Sequence, residues 1–105
     1  MAEQEELDPR TVGRAVAGVF ELLGRRWQLR LIWELREGAP SFRELQARCG
    51  GISPSVLSAR LEELREAGIV HHRDGYRLTE AGVELLELYP PLSAWARKWG
   101  MPAGQ

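Results

Sequence analysis

GISPSVLSARLEELREAGIVHHRDGYRLT, residues 51–79, changes its hydrophobic period part-way along, and that change decides the fold. As far as Ala67 the pattern is helical. Ser53 offers a side-chain oxygen to a free backbone N–H, and Pro54 suits the first helical position, where a missing N–H loses no bond. Leu57, Leu61 and Leu64 then recur at spacings of three and four along one side, and Gly68 marks the stop. From Ile69 the pattern becomes strand-like. Ile69-Val70-His71-His72-Arg73 and Tyr76-Arg77-Leu78-Thr79 are joined by Asp74-Gly75, a pair that readily takes the positive φ of a two-residue hairpin turn. A capped helix therefore runs directly into a small β-ribbon.

Working outward, Ser41-Phe42-Arg43-Glu44 has the capping-box form and predicts a short helix ending at Cys49-Gly50. Before it, a helix is expected from about Arg26 to Glu37. Trp27, Leu31, Ile32 and Leu35 form its buried stripe, and Leu29 and Trp33 widen that stripe enough to place the helix at the centre of the domain. Asp8-Pro9 starts the first helix, with Val12, Val16, Val19, Phe20 and Leu23 on one face. Thr79-Glu80 opens a last helical segment. There Leu85, Leu88, Leu92, Trp95 and Trp99 make a seam fit for a partner helix, and Pro90-Pro91 predicts a break near Tyr89. The order is that of a winged helix-turn-helix: mainly α with a small β-hairpin wing, one domain over residues 1–105 with an acidic tail at 1–8.

Composition narrows the function. No apolar run in the 105 residues approaches the ~20 needed for a membrane helix, and the acidic N-terminus lacks the basic flank and apolar stretch of a secretory signal. A cytoplasmic, non-membrane protein is expected. Cys49, the single cysteine, has no intrachain disulfide partner, and its place at a helix C-terminus disfavours a thiolate. No Gly-rich phosphate loop, nucleophile motif or metal-ligand spacing points to an enzyme or a cofactor. His71 and His72, as strand neighbours, point to opposite faces and do not suit one metal ion. The net charge of −1 argues against nucleic acid until its distribution is read. Residues 1–24 carry −3, residues 25–77 carry ten arginines against seven acids, and the remainder carries −1. An anionic partner would meet the middle segment.

In the Ser53 helix the core-facing leucines leave Ser55, Ser58, Ala59 and Glu62 pointing away, with Ser53, Val56 and Arg60 at their edges. These seven are the base-reading candidates. Serine bonds to base edges either as donor or as acceptor, and Ala59 with Val56 suits a thymine methyl; Arg60 reaches out only by extending its stem. Arg25, Arg26, Ser41, Arg43, Arg73 and Arg77 are the candidates for phosphate contact. The plain alternative is a solvated helix face with ordinary surface charges. Val12, Val16 and Val19, with Leu85, Leu88, Leu92, Trp95 and Trp99, are the candidate dimer face.

Four ordered motifs carry a resemblance: Glu21-Leu22-Leu23-Gly24-Arg25-Arg26-Trp27; Phe42-Arg43-Glu44-Leu45; Gly51 to Leu61; and Tyr76-Arg77-Leu78-Thr79-Glu80-Ala81-Gly82. Over roughly residues 12–99 the chain resembles the HxlR-type winged-helix regulators, which are allied to the MarR type. The resemblance implies a homodimeric transcriptional regulator, expected here as a repressor on a palindromic double-stranded DNA operator, in a family where some members respond to electrophiles or small aromatic molecules. Two departures stand out. The family's sensing cysteine before the first helix is replaced by Asp8-Pro9-Arg10-Thr11, and the wing is short. Two other readings remain at this stage: a winged helix that binds protein rather than DNA, and a regulator with an effector pocket at the dimer seam.

Overall fold

Ser41, Ser53 and Thr79 each begin a helix by accepting a backbone N–H, from Glu44, Val56 and Gly82 at 3.1, 3.2 and 3.1 Å. At Ser41 the Glu44 carboxylate also reaches back to the N-cap N–H at 3.1 Å, completing the capping box. The computed structural model that shows this describes residues 8–104. Its elements are α1 (Pro9–Leu23), α2 (Gln28–Glu34), α3 (Phe42–Cys49), α4 (Pro54–Glu66), β1 (Val70–His72), β2 (Tyr76–Leu78), α5 (Glu80–Leu86) and α6 (Tyr89–Lys98). The acidic tail assigned to residues 1–8 lies, apart from Asp8, outside the described residues.

The core is built where the apolar stripes of α2, α3 and α4 meet. Leu31, Ile32, Leu35, Leu45, Cys49, Ile52, Leu57, Leu61 and Leu64 are buried, and Val70 and Tyr76 close it from the hairpin. Two arginines lock the ends of α2 and α3 to each other. Arg30 donates to the Arg48 carbonyl at 2.8 Å and pairs with Glu34 at 2.6 Å, while Arg48 donates to the Glu34 carbonyl at 2.9 Å. Carbonyls at both helix ends, which lack intrahelical partners, are satisfied in this way. Tyr89, at the start of α6, donates its hydroxyl to the Leu29 carbonyl at 3.2 Å. Burial pushes that phenol up to about 12, so it remains a donor at any physiological pH.

Three expectations are corrected. The helix predicted from Arg26 to Glu37 is only seven residues long, because Trp27 sits at φ 82° in the left-handed region and stops it from starting earlier. Its buried stripe is narrower than predicted. Leu29 and Trp33 are 49% and 43% exposed, and Trp33 lies under the Arg36 guanidinium at 4.2 Å, while the fully buried position belongs to Gln28. The hairpin loop has three residues, Arg73 to Gly75, rather than two. His72 pairs with Tyr76, His71 with Arg77 and Val70 with Leu78, with Asp74 and Gly75 both at positive φ. Here a tertiary contact sets the register: the Tyr76 N–H donates to the Pro40 carbonyl at 2.9 Å, and Gly75 lies so close to Ala39 that a Cβ would run into its carbonyl. Third, Leu85 is half-buried against the core and leaves the predicted seam. The break near Tyr89 is where the prolines placed it, since Pro90 and Pro91 fall in the first turn of α6, where no N–H is required.

Candidate nucleic-acid interface

Gly50 and Gly51, at φ 52° and 77°, carry the chain from α3 into α4. Two successive left-handed residues make this a turn for glycines. With Leu57, Leu61 and Leu64 turned inward, Ser55, Ser58, Ala59 and Glu62 stand exposed on the outer face of α4. Ser53 is occupied as the cap and lies 3.4 Å from the Ser55 hydroxyl. Val56 and Arg60 are half-buried at the flank, Val56 against the core and Arg60 in an ion pair with Glu63. Glu62 pairs with Arg65 at 3.3 Å.

The six residues assigned to phosphates, Arg25, Arg26, Ser41, Arg43, Arg73 and Arg77, are all exposed. Arg25 pairs with Glu63 at 3.4 Å, and Arg26 lies 5.4 Å above the Trp27 ring. Arg43, Arg73 and Arg77 form no ion pair among the described residues. Arg73 and Arg77 belong to the wing, Arg25 and Arg26 precede α2, and Arg43 opens α3, so the exposed arginines are spread over three separate parts of the fold. On the wing the His72 ring stacks on Tyr76 at 3.9 Å, and among the described residues no three His, Cys, Asp or Glu side chains gather as for a metal.

Sequence reasoning missed Glu63. Its carboxylate accepts from the Gln28 amide at 3.1 Å and from the Arg60 guanidinium and forms an ion pair with Arg25 at 3.4 Å, joining the start of α2 to the flank of α4. The available signal was Arg60 three residues before Glu63 on one helix; the contacts from Arg25 and Gln28 are too distant in the chain to be legible. Cys49 is 4% exposed, and burial pushes its thiol up, which keeps it protonated. Alkylating reagents are accordingly expected to label Cys49 only at the rate at which the protein opens; rapid labelling of the native protein, followed by mass spectrometry, would contradict that placement.

The HxlR-like helix-turn-helix profile matches residues 22–103, which takes in α2 through α6. The chain belongs to the HxlR family. As an HxlR protein it is a DNA-binding transcriptional regulator, and the family is one of regulators rather than enzymes. It is 32% identical over 91 residues to the HTH-type transcriptional regulator YvaP of Bacillus subtilis, covering 79% of this chain and 84% of YvaP. Against the HTH-type transcriptional regulator YodB of the same organism the identity is 33% over 91 residues, covering 79% and 81%. The quinone-bound structure of YodB superposes with a TM-score of 0.74 at 34% identity, covering 80% of this HxlR chain and 96% of that one. No helix among the described residues is long and apolar enough to cross a membrane.

Proposed function

We propose that this HxlR protein acts as a homodimeric repressor that occupies a palindromic operator, with α4 in the major groove. One observation carries the dimer: α1 and α6 have no fully buried residue within the protomer, although both are amphipathic. Val12, Val16, Val19, Leu88, Leu92, Trp95 and Trp99 are all 39–62% exposed. An apolar face of this extent on a single protomer is the mark of an interaction surface, and a second copy of the same face matches it. On DNA, Ser55, Ser58, Ala59 and Glu62 read base edges, with Ser53, Val56 and Arg60 at the margin, while Arg25, Arg26, Ser41, Arg43, Arg73 and Arg77 hold phosphates. Repression by occupancy requires nothing beyond the bound dimer.

Binding to DNA from upstream of its own gene, against scrambled DNA, across a salt series, tests this. The upstream fragment is expected to bind about a thousandfold more tightly, with paired half-site footprints about one helical turn apart. Equal affinity for both fragments would overturn it.

A second reading is favoured by the exposed Trp95 and Trp99 together with the solved quinone-bound relative. A small aromatic effector enters the dimer seam and shifts the dimer's DNA affinity non-covalently, since the one thiol is buried. A change in tryptophan fluorescence on adding a quinone, coupled to a change in operator affinity, is its expected sign.

A further inference from the structure

Glu63 stands beside a surface that is otherwise equipped for a polyanion, and its surroundings say why a carboxylate is tolerated there. Gln28 is fully buried, and its amide nitrogen donates to Oε2 at 3.1 Å while its own oxygen has no partner. Arg60 donates to Oε1, its side chain is only 20% exposed, and its buried Nε is unpartnered. These two groups fix the carboxylate. Arg25 differs from both. Its Nε lies 3.4 Å from Oε2 as an ion pair without a hydrogen bond, its side chain is 59% exposed, and its guanidinium nitrogens donate to no protein group among the described residues. A guanidinium held by charge alone keeps its N–H donors for a second anion.

We infer that Glu63 is a positioning residue for DNA recognition: its fixed carboxylate holds the Arg25 guanidinium by an ion pair, so that the free donors of Arg25 are pre-placed for a single backbone phosphate when α4 is seated. This deepens, and rests on, the DNA-binding face proposed above. Pre-setting helps only where a phosphate falls at the fixed position, which happens in the register of the cognate site. On scrambled DNA the dimer samples many registers, so an unrestrained arginine does as well there. The negative charge of Glu63 weakens attraction to both kinds of DNA alike, and it therefore drops out of their ratio.

The experiment measures affinities for the upstream fragment and for scrambled DNA over a salt series, for the wild-type protein, Glu63→Gln, Arg25→Lys and the double variant. Glu63→Gln is expected to raise scrambled-DNA affinity while leaving the upstream affinity flat or lower, so that the ratio falls about three- to tenfold. Arg25→Lys keeps the charge at an exposed position that does not threaten the fold. It loses the fork, and is expected to lower the upstream affinity about three- to tenfold with scrambled binding unchanged. In the double variant the two losses in ratio should not add. Parallel changes on both DNAs, an unchanged ratio, or additive losses would each overturn the role of Glu63. A wild-type protein that does not discriminate the two DNAs would instead overturn the regulator reading beneath it.

Discussion

Changing Leu92 and Trp95 of α6 together to aspartate is expected to turn the protein into a monomer and to lower its affinity for paired half-sites by about a hundredfold or more. The two side chains are 57% and 53% exposed in the protomer, so replacing them removes little intramolecular packing, and the monomer should keep its helical signal and its core. Their apolar surface becomes valuable only when a second copy covers it, at about 1.5–3 kcal/mol for each large side chain fully buried. An aspartate in the same place has to lose its water with no cation assigned to it, which adds to the loss. The DNA effect is expected to be larger than the effect on either contact, because in the proposed dimer two linked reading heads would bind the second half-site as an intramolecular event, a gain of about 10²–10⁴ that a monomer forfeits. Sedimentation at micromolar concentration and a titration of full and half operators check both parts. A dimer that persists in the double variant would remove α6 from the interface.

The second large effect concerns the last glycine of the fourth motif. Gly82 is buried on α5, and a Cβ there would be driven into the Ile69 carbonyl and against Leu78. That carbonyl has little freedom to retreat, because it accepts the Thr79 N–H at 2.9 Å, while the Thr79 hydroxyl donates to the Gly68 carbonyl and caps α5 by accepting the Gly82 N–H. Helix propensity alone predicts that Gly82→Ala stabilises by about 1 kcal/mol. Overpacking against fixed backbone opposes this by about 1–3 kcal/mol or more. The packing effect is expected to win, because relief would require breaking the hydrogen bonds that join α5 to the base of the wing. Gly82→Ala should therefore lower Tm by several degrees, and Gly82→Val by about 10 °C or more. Calorimetry decides it by sign: a variant more stable than wild type would mean that α5 can move away from Ile69.

Much of this architecture was legible because its determinants are local. The caps at Ser41, Ser53 and Thr79, the break before Pro90 and the inward leucines of α4 each depend on residues within one or two turns. What was not legible came from elsewhere in the chain. Trp27 takes a left-handed conformation that shortens α2 and leaves Leu29 and Trp33 outside, a backbone state that a bulky residue rarely adopts and that no pattern announces. The hairpin register obeys Pro40, some thirty-five residues upstream, instead of the Asp74-Gly75 turn preference. Of the candidate site, the outer face of α4 followed from periodicity, while the tie from Gln28 to Glu63 spans 35 residues and lies beyond any helical spacing.

The hydrogen bond from Tyr76 to the Pro40 carbonyl also bears on how the protein behaves when crowded. A two-stranded ribbon normally offers an open edge on which another chain can lay a strand, the first step towards aggregation. Here the Tyr76 N–H on the outer side of β2 is already taken by the Pro40 carbonyl. The segment ending at Pro40 can extend the ladder no further at this point, because proline has no N–H to give the next strand. The residue that fixes the wing in register thus also occupies a donor on the outer edge of β2, which leaves a neighbouring strand one bond fewer to make there.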